Sequence, residues 1–123
     1  MIGYSTIGVT DMERAKTFYS DLVADYGASV QIDAGRIAMI GKSPAEPMVA
    51  VCEPYDKEAP SPGNGNMIAF AAPSKEDAAK MYEKAISLGA TDEGAPGQRI
   101  EGRFYGGYVR DLDGNKLCFY VFG

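Results

Sequence analysis

The feature that most constrains the fold of this chain is an internal repeat, in which two segments match at one constant offset. That offset pairs Ala15 with Ala78 and Tyr19 with Tyr82, and both pairs lie in segments with apolar residues at helical spacing. Self-similarity at a fixed offset is the sequence signature of a duplicated structural unit. The chain is therefore expected to contain two copies of one supersecondary motif.

Each copy is predicted to contain one strand, one helix and three further strands. In the first copy, β-branched residues predict a strand over 2–9. Apolar side chains at helical spacing then predict a helix that ends at Gly27. Thr10 and Glu13 have the spacing of a capping box, which would start this helix. The three following strands are predicted near 28–32, 36–41 and 47–53.

The second copy follows the same order, with a strand predicted over 65–72 and a helix from Ser74 to Leu88. Gly89 is expected to end that helix. The glycine-rich segment Glu93–Gly102 is predicted as a surface loop, and Asp111–Gly114 as a hairpin turn. Three weaker strands are predicted near 90–93, 105–110 and 115–122.

These elements predict an α+β fold of two tandem βαβββ modules, which form a curled mixed sheet around a cavity. The modules are placed at about 1–53 and 65–123, and the proline- and glycine-rich segment 54–64 is the linker between them. The length of 123 residues suits a single domain, so we expect residues 1–123 to form one.

The absence of histidine is the most informative fact about chemistry. Imidazole is the commonest general acid or base at neutral pH and the commonest metal ligand. Its absence excludes histidine-based triads and histidine-containing zinc or iron sites. The two cysteines, Cys52 and Cys118, are far apart and form neither a disulfide framework nor a zinc motif. A catalytic base would have to be Asp, Glu, Lys, Tyr or Cys with a suitable pKa.

The charge and hydropathy of the chain limit its partners and its location. The formal net charge of -5 disfavours binding to the phosphate backbone of nucleic acids and would tolerate a cationic small molecule. No apolar run approaches the ~20 residues that cross a bilayer, and the N-terminus lacks the pattern of a signal peptide. We therefore expect a cytoplasmic protein with no nucleic-acid or membrane partner.

Three strings, in this order along the chain, carry a family resemblance: Ile7–Asp11 with Phe18 and Tyr19 downstream, then Gly63–Phe70, then Arg110–Leu117. Together they resemble the glyoxalase/bleomycin resistance/dioxygenase family, also called the vicinal oxygen chelate superfamily. Leu112 stands where the closing hairpin of that family usually has proline. The resemblance covers nearly the whole chain, and it implies paired βαβββ modules and a homodimer.

The resemblance also implies where a metal ligand would lie in metal-dependent members, whose ligand pattern is His, an acid, His and Glu. Tyr4 stands at the first position, Met67 at the third and Cys118 at the fourth. The remaining ligand would fall within Val49–Val51, which contains no acid. We therefore predict no metal and no cofactor. Copper(I) is the alternative, because cysteine and methionine are soft ligands.

What the resemblance leaves is a cavity that could bind a small molecule. Alternation along strands places Thr6 on the face of Tyr4, and it places Tyr120 on the face of Cys118. Of Tyr105 and Tyr108, only one can face the cavity, and the sequence alone does not decide between them. The predicted ligand-binding residues are Tyr4, Thr6, Met48, Met67, Ala69, Tyr105, Cys118 and Tyr120. The alternative is that these residues only form the core.

Three functions remain open at this point. The first is a metal-free binding protein for a small molecule, for example a cationic antibiotic. The second is a metal-independent isomerase or lyase acting on a small oxygenated metabolite, which needs an acid or base in the cavity. The third is a purely structural or interaction role, which predicts a filled cavity.

Overall fold

The computed structural model describes residues 1–123, which form two compact units, Met1–Pro62 and Gly63–Gly123. Each unit contains one α-helix and one four-stranded mixed sheet. The order of elements is strand, helix and three strands in both units, which confirms the α+β class and the two tandem βαβββ modules. Neither helix has the length and apolar character that a membrane-spanning helix requires.

The first unit forms one sheet in the order β1-β4-β3-β2. Strands β1 and β4 are parallel, and the other two pairs are antiparallel. The predicted strands therefore exist, with ends that differ from the prediction by at most two residues. The elements are β1 (Tyr4–Gly8), α1 (Met12–Val23), β2 (Ser29–Asp33), β3 (Ile37–Gly41) and β4 (Met48–Cys52).

The helix α1 packs on this sheet through one apolar stripe. It ends at Val23 and is followed by a single 3₁₀ turn, Ala24–Tyr26, which Gly27 ends with a φ of 75°. This left-handed conformation favours glycine because it has no Cβ. The buried side chains of α1 are Ala15, Phe18, Tyr19, Leu22 and Val23.

The start of α1 differs from the prediction, because Asp11 and not Thr10 is the N-cap. The backbone of Asp11 is extended, and its carboxylate accepts a hydrogen bond from the backbone N–H of Arg14 at 3.1 Å. Glu13 does not bond back to the cap but pairs with Lys16, with 2.6 Å between oxygen and nitrogen. The predicted capping box is therefore wrong, because the helix begins one residue later than that box requires and Asp11 occupies the N-cap position.

The second unit forms a sheet of the same topology, in the order β5-β8-β7-β6. Strands β5 and β8 are parallel, and the other pairs are antiparallel. The predicted helix is confirmed: Ser74 caps it, and Gly89 follows its end with a φ of 106°. The elements are β5 (Ile68–Ala71), α2 (Lys75–Ser87), β6 (Thr91–Ile100), β7 (Phe104–Arg110) and β8 (Lys116–Val121).

Two predictions for this unit are corrected by the structure. The strand predicted over 65–72 begins only at Ile68. Gly65 has a φ of 96° and lies in a turn, so it cannot belong to the strand. The segment Glu93–Gly102 is not a surface loop, since most of it lies in β6. Strand β6 is at the edge of the sheet, and its pairing with β7 shifts register at three points. Bulges of this kind let an edge strand contain glycine and proline.

Candidate functional site

In the first unit, the predicted cavity residues of β1 and β4 lie on one face of the sheet. The strand register places Tyr4 opposite Met48 and Thr6 opposite Ala50. Residues that are directly opposite in neighbouring strands project to the same face. We call this surface the Tyr4 face. Tyr4 is 52% exposed, so it is not a core residue, whereas Met48 is buried.

The opposite face of this sheet holds the core of the unit. Ala38 lies opposite Val51, and both side chains are fully buried. The helix α1 packs against β3 and β4. On the Tyr4 face, Met48 and Ala50 are buried as well, but Tyr4 and Thr6 are exposed and no helix covers them. The Tyr4 face is therefore the side of this sheet that is available to a ligand.

A groove of about 470 Å³ lies at one end of the Tyr4 face. Its floor is formed by Thr6, Ile37 and Cys52. Its wall is formed by connector residues between 54 and 61, with Arg36 at its side. The volume lies within the range of about 300–1,000 Å³ that is common for small-molecule sites.

Two contacts hold the connector over the sheet. A Cβ atom at Gly8 would lie 2.7 Å from the Pro60 Cβ atom, so glycine is what lets the connector approach β1 this closely. The Arg36 guanidinium donates a hydrogen bond of 2.8 Å to the Glu53 carbonyl, and it lies 5.5 Å from the centre of the Tyr55 ring. The sequence prediction treated this segment only as a linker. The aromatic and proline residues of this segment are the one sequence signal that it packs against the sheet.

In the second unit, Cys118 is fully buried and lies opposite Ala69 on β5 and Tyr108 on β7. We call this surface the Cys118 face. The other face is covered by α2, because a Cβ atom at Gly107 would lie 3.2 Å from the ring of Tyr82 in that helix.

The two tyrosines that the sequence could not orient lie on opposite faces of this sheet. Tyr108 is on the Cys118 face, and Tyr105 is on the face covered by α2. The ammonium nitrogen of Lys75, in the first turn of α2, lies 5.8 Å from the centre of the Tyr105 ring. The placement of Tyr105 beside Cys118 is therefore corrected, and Tyr108 takes that place.

Aromatic rings form the other part of the Cys118 face. The Tyr120 ring stacks on Phe104, with 5.5 Å between ring centres and 2° between ring planes. Phe122 packs against the Tyr120 ring edge to face, at 4.9 Å. Met67 precedes β5 and is 43% exposed, so it is not part of the core.

Two cations lie over the Tyr108 ring of the Cys118 face. The Arg99 guanidinium carbon is 5.4 Å from the ring centre, and the Lys116 ammonium nitrogen is 5.3 Å from it. Burial, followed by the nearby Cys118 thiol, raises the pKa of Tyr108. Burial also raises the pKa of Cys118, against the opposing effects of Tyr108, Arg99 and Lys116. Phenol and thiol are therefore both protonated at neutral pH.

The donor atoms at the positions implied for a metal do not fit a divalent ion. Tyr4 supplies a phenol, Met67 a thioether and Cys118 a thiol, while Val49–Val51 supplies no donor side chain. Cysteine binds a metal as the thiolate, and the raised pKa of Cys118 opposes that form. No group of three or more His, Cys, Asp or Glu side chains in the chain could hold a metal ion.

Comparison with known proteins agrees with this architecture. Residues 1–119 match the family model of the Glyoxalase/Bleomycin resistance protein/Dioxygenase superfamily. A glyoxalase/bleomycin resistance protein from Albidiferax ferrireducens is 28% identical with a TM-score of 0.88, and the match covers 100% of this chain and 99% of that one.

Two further solved structures share the fold at lower identity. A glyoxalase/bleomycin resistance protein/dioxygenase family enzyme from Burkholderia phytofirmans is 18% identical, with a TM-score of 0.80 and 98% of both chains covered. A hypothetical protein from S. aureus is 21% identical, with a TM-score of 0.76, and the match covers 98% of this chain and 92% of that one. No curated protein sequence matches the chain significantly.

Proposed function

The chain belongs to the Glyoxalase/Bleomycin resistance protein/Dioxygenase superfamily, and we propose that it binds a small molecule on its sheet surfaces without a divalent metal. The observation that carries this proposal is the groove of about 470 Å³ on the Tyr4 face. Its floor includes Thr6, one of the residues predicted from the sequence to bind a ligand.

The groove presents polar and apolar surface in equal measure, so it suits a ligand that has both kinds of group. Ile37 and Pro54 supply apolar surface, and Thr6 supplies a hydroxyl. Arg36 and Asp56 add one charge of each sign to the lining. Two further predicted binding residues, Ala69 and Tyr120, are accessible on the Cys118 face, whereas the Cys118 side chain itself is fully buried.

On the Cys118 face, the protonation states of Tyr108 and Cys118 favour binding over catalysis. A metal-independent isomerase or lyase needs a group that takes up a proton near neutral pH. The raised pKa values of Tyr108 and Cys118 keep both groups protonated there, so neither serves as that base. Turnover of a ligand by the purified protein would favour the enzymatic alternative.

The proposal extends to the location and assembly of the protein. We propose that it acts in the cytoplasm as a homodimer and has no nucleic-acid partner. The net charge of -5 supports the last point, because an acidic protein is repelled by a phosphate backbone. Sedimentation equilibrium measures the oligomeric state directly, and a monomer at all concentrations would contradict the dimer.

Filling the groove tests the proposal. Ala59 lines the groove and is exposed, so Ala59→Trp should block the groove at little cost to the fold. The matched control is Ala45→Trp, because Ala45 is also exposed but lies outside the groove. The measurement is the melting temperature with a panel of small molecules that includes bleomycin-type drugs, since that name is attached to the 28% identical relative.

The expected result is a ligand that stabilises the wild type and Ala45→Trp but not Ala59→Trp. At a ligand concentration one hundred times Kd, binding adds about 2.7 kcal/mol to the free energy of unfolding. A ligand that stabilises Ala59→Trp as much as the wild type would bind elsewhere, and it would contradict the groove as the site.

A further inference from the structure

Two cations of the Cys118 face lie against one ring, and neither forms an ion pair with an acidic side chain. Arg99 and Lys116 lie 5.4 Å and 5.3 Å from the centre of the same Tyr108 ring. The ion pairs of the chain involve other cations, and neither of these two is within ion-pair distance of a carboxylate. Burial raises the pKa of the Cys118 thiol beside this ring, and the charges of Arg99 and Lys116 both oppose that rise, so an anion placed there would be attracted by both cations.

The position of Arg99 is fixed by the backbone of β6. Its guanidinium donates a hydrogen bond to the carbonyl of Ala95, which holds it back against its own strand. A Cβ atom at Gly94 would lie 3.3 Å from Arg99 Nη2 and 3.2 Å from the Tyr108 ring, so the glycine leaves room for both side chains. A cation that is already positioned loses less entropy when it binds a ligand.

The acidic residues nearest along β6 are bound to other groups. The Glu93 carboxylate accepts from Arg110, with 3.1 Å between oxygen and Nη2. Asp92 accepts a hydrogen bond of 2.7 Å from the Tyr82 hydroxyl and one of 2.9 Å from the Gly94 N–H. Neither carboxylate forms an ion pair with Arg99 or Lys116, although the pKa of Asp92 is lowered by the Tyr82 hydroxyl, by the Gly94 N–H and, at longer range, by the Arg99 charge.

We propose that Arg99, Tyr108 and Lys116 bind an oxyanion, the carboxylate or phosphate group of a small ligand. Guanidinium and ammonium groups bind such oxygens through charge-assisted hydrogen bonds. The Tyr108 hydroxyl adds a neutral donor, because its raised pKa keeps it protonated. This inference rests on the proposed function in using the Cys118 face as a binding surface and adds the ligand chemistry of that face, and it does not depend on the groove at Thr6.

Isothermal titration calorimetry with three probes tests the inference and separates the two sources of the oxyanion. Benzoate presents a carboxylate on a ring, which suits a face where Tyr120 and Phe104 also lie. Benzamide has nearly the same shape without the charge, and inorganic phosphate has the oxyanion without the ring. Each probe is titrated into the high millimolar range against the wild type, Arg99→Gln, Lys116→Gln and, as matched control, Arg103→Gln.

The expected result is that benzoate or phosphate binds the wild type while benzamide does not. Loss of one charge-assisted contact should weaken binding about tenfold or more in Arg99→Gln and in Lys116→Gln. Arg103→Gln removes the same charge from an exposed turn and should bind as the wild type does. Arg99→Lys keeps the charge and should retain part of the affinity.

Three results would overturn the inference. The first is that neither anion binds the wild type. The second is that benzamide binds as tightly as benzoate while phosphate does not bind. The third is that Arg99→Gln has the affinity of the wild type. None of these results bears on Ala59→Trp, so the failure of this inference is distinguishable from the failure of the proposed function.

Discussion

Replacing Phe119 with alanine is expected to lower the free energy of unfolding by about 3–5 kcal/mol, the usual cost of a Phe→Ala change in a core. Phe119 is fully buried, on the face of the second sheet that α2 covers. Its ring stacks on Phe70, with 5.7 Å between ring centres. The change would remove this contact and leave a cavity beneath α2. Since a domain is stable by only about 5–15 kcal/mol, the urea midpoint should fall sharply.

Phe122→Ala is the matched control for this prediction. Phe122 lies in the same C-terminal stretch but is 75% exposed. It contacts the Tyr120 ring edge to face, and such aromatic pairs contribute about 0.5–1.5 kcal/mol. Equal losses of stability in the two variants would contradict the placement of the core between α2 and the second sheet.

Replacing Asp111 with alanine is expected to cost about 2–4 kcal/mol, because several hydrogen bonds to one buried carboxylate are lost together. Asp111 is only 5% exposed. Its carboxylate accepts from the backbone N–H of Asn115 at 2.8 Å and of Asp113 at 2.9 Å. It also accepts from the side-chain amide of Asn115 at 3.1 Å. Without these acceptors, donors in the hairpin between β7 and β8 lose their partners.

Asp111→Asn is the control, because its amide oxygen still accepts from the two backbone N–H groups. It should lose less stability than Asp111→Ala in urea unfolding. Hydrogen exchange at the Asn115 amide should be faster in Asp111→Ala than in Asp111→Asn. Equal stability and equal exchange in both variants would show that the carboxylate does not hold the hairpin.

The fold could be predicted because its strongest signals are local and occur twice. The apolar residues of α1 and of α2 recur at helical spacing. In α1, these residues form the buried side of the helix. The hairpin at Asp111–Gly114 follows from turn chemistry, and it is confirmed by the hydrogen bond from the Gly114 N–H to the Asp111 carbonyl. Such features depend on few residues and are readable without tertiary contacts.

Other features of the structure depend on contacts that the sequence does not encode locally. The alternation of β7 could not be assigned to a face, because Gly106 and Gly107 give no side-chain signal between Tyr105 and Tyr108. Only the start of β6 was predicted, near 90–93, because the glycine and proline residues after it are typical of a loop, while bulges at a sheet edge accommodate them.

The candidate site was only partly predictable for the same reason. Thr6 could be assigned to the Tyr4 face from strand alternation alone. The groove beside it depends on the approach of Pro60 to Gly8, two residues that are distant in sequence. The cluster over Tyr108 depends on the position of Arg99, which sequence analysis placed in a surface loop.

Metal dependence of ligand binding is the most direct test of the central claim, that the protein binds a small molecule without a divalent metal. The purified protein is treated with a chelator, and its melting temperature is measured with a stabilising ligand before and after zinc, nickel, manganese or iron(II) is added. Bound metal is measured by mass spectrometry on the same samples. We predict less than stoichiometric metal throughout and the same ligand-induced shift with and without chelator. Stoichiometric metal, with a ligand-induced shift that disappears on chelation, would contradict the claim.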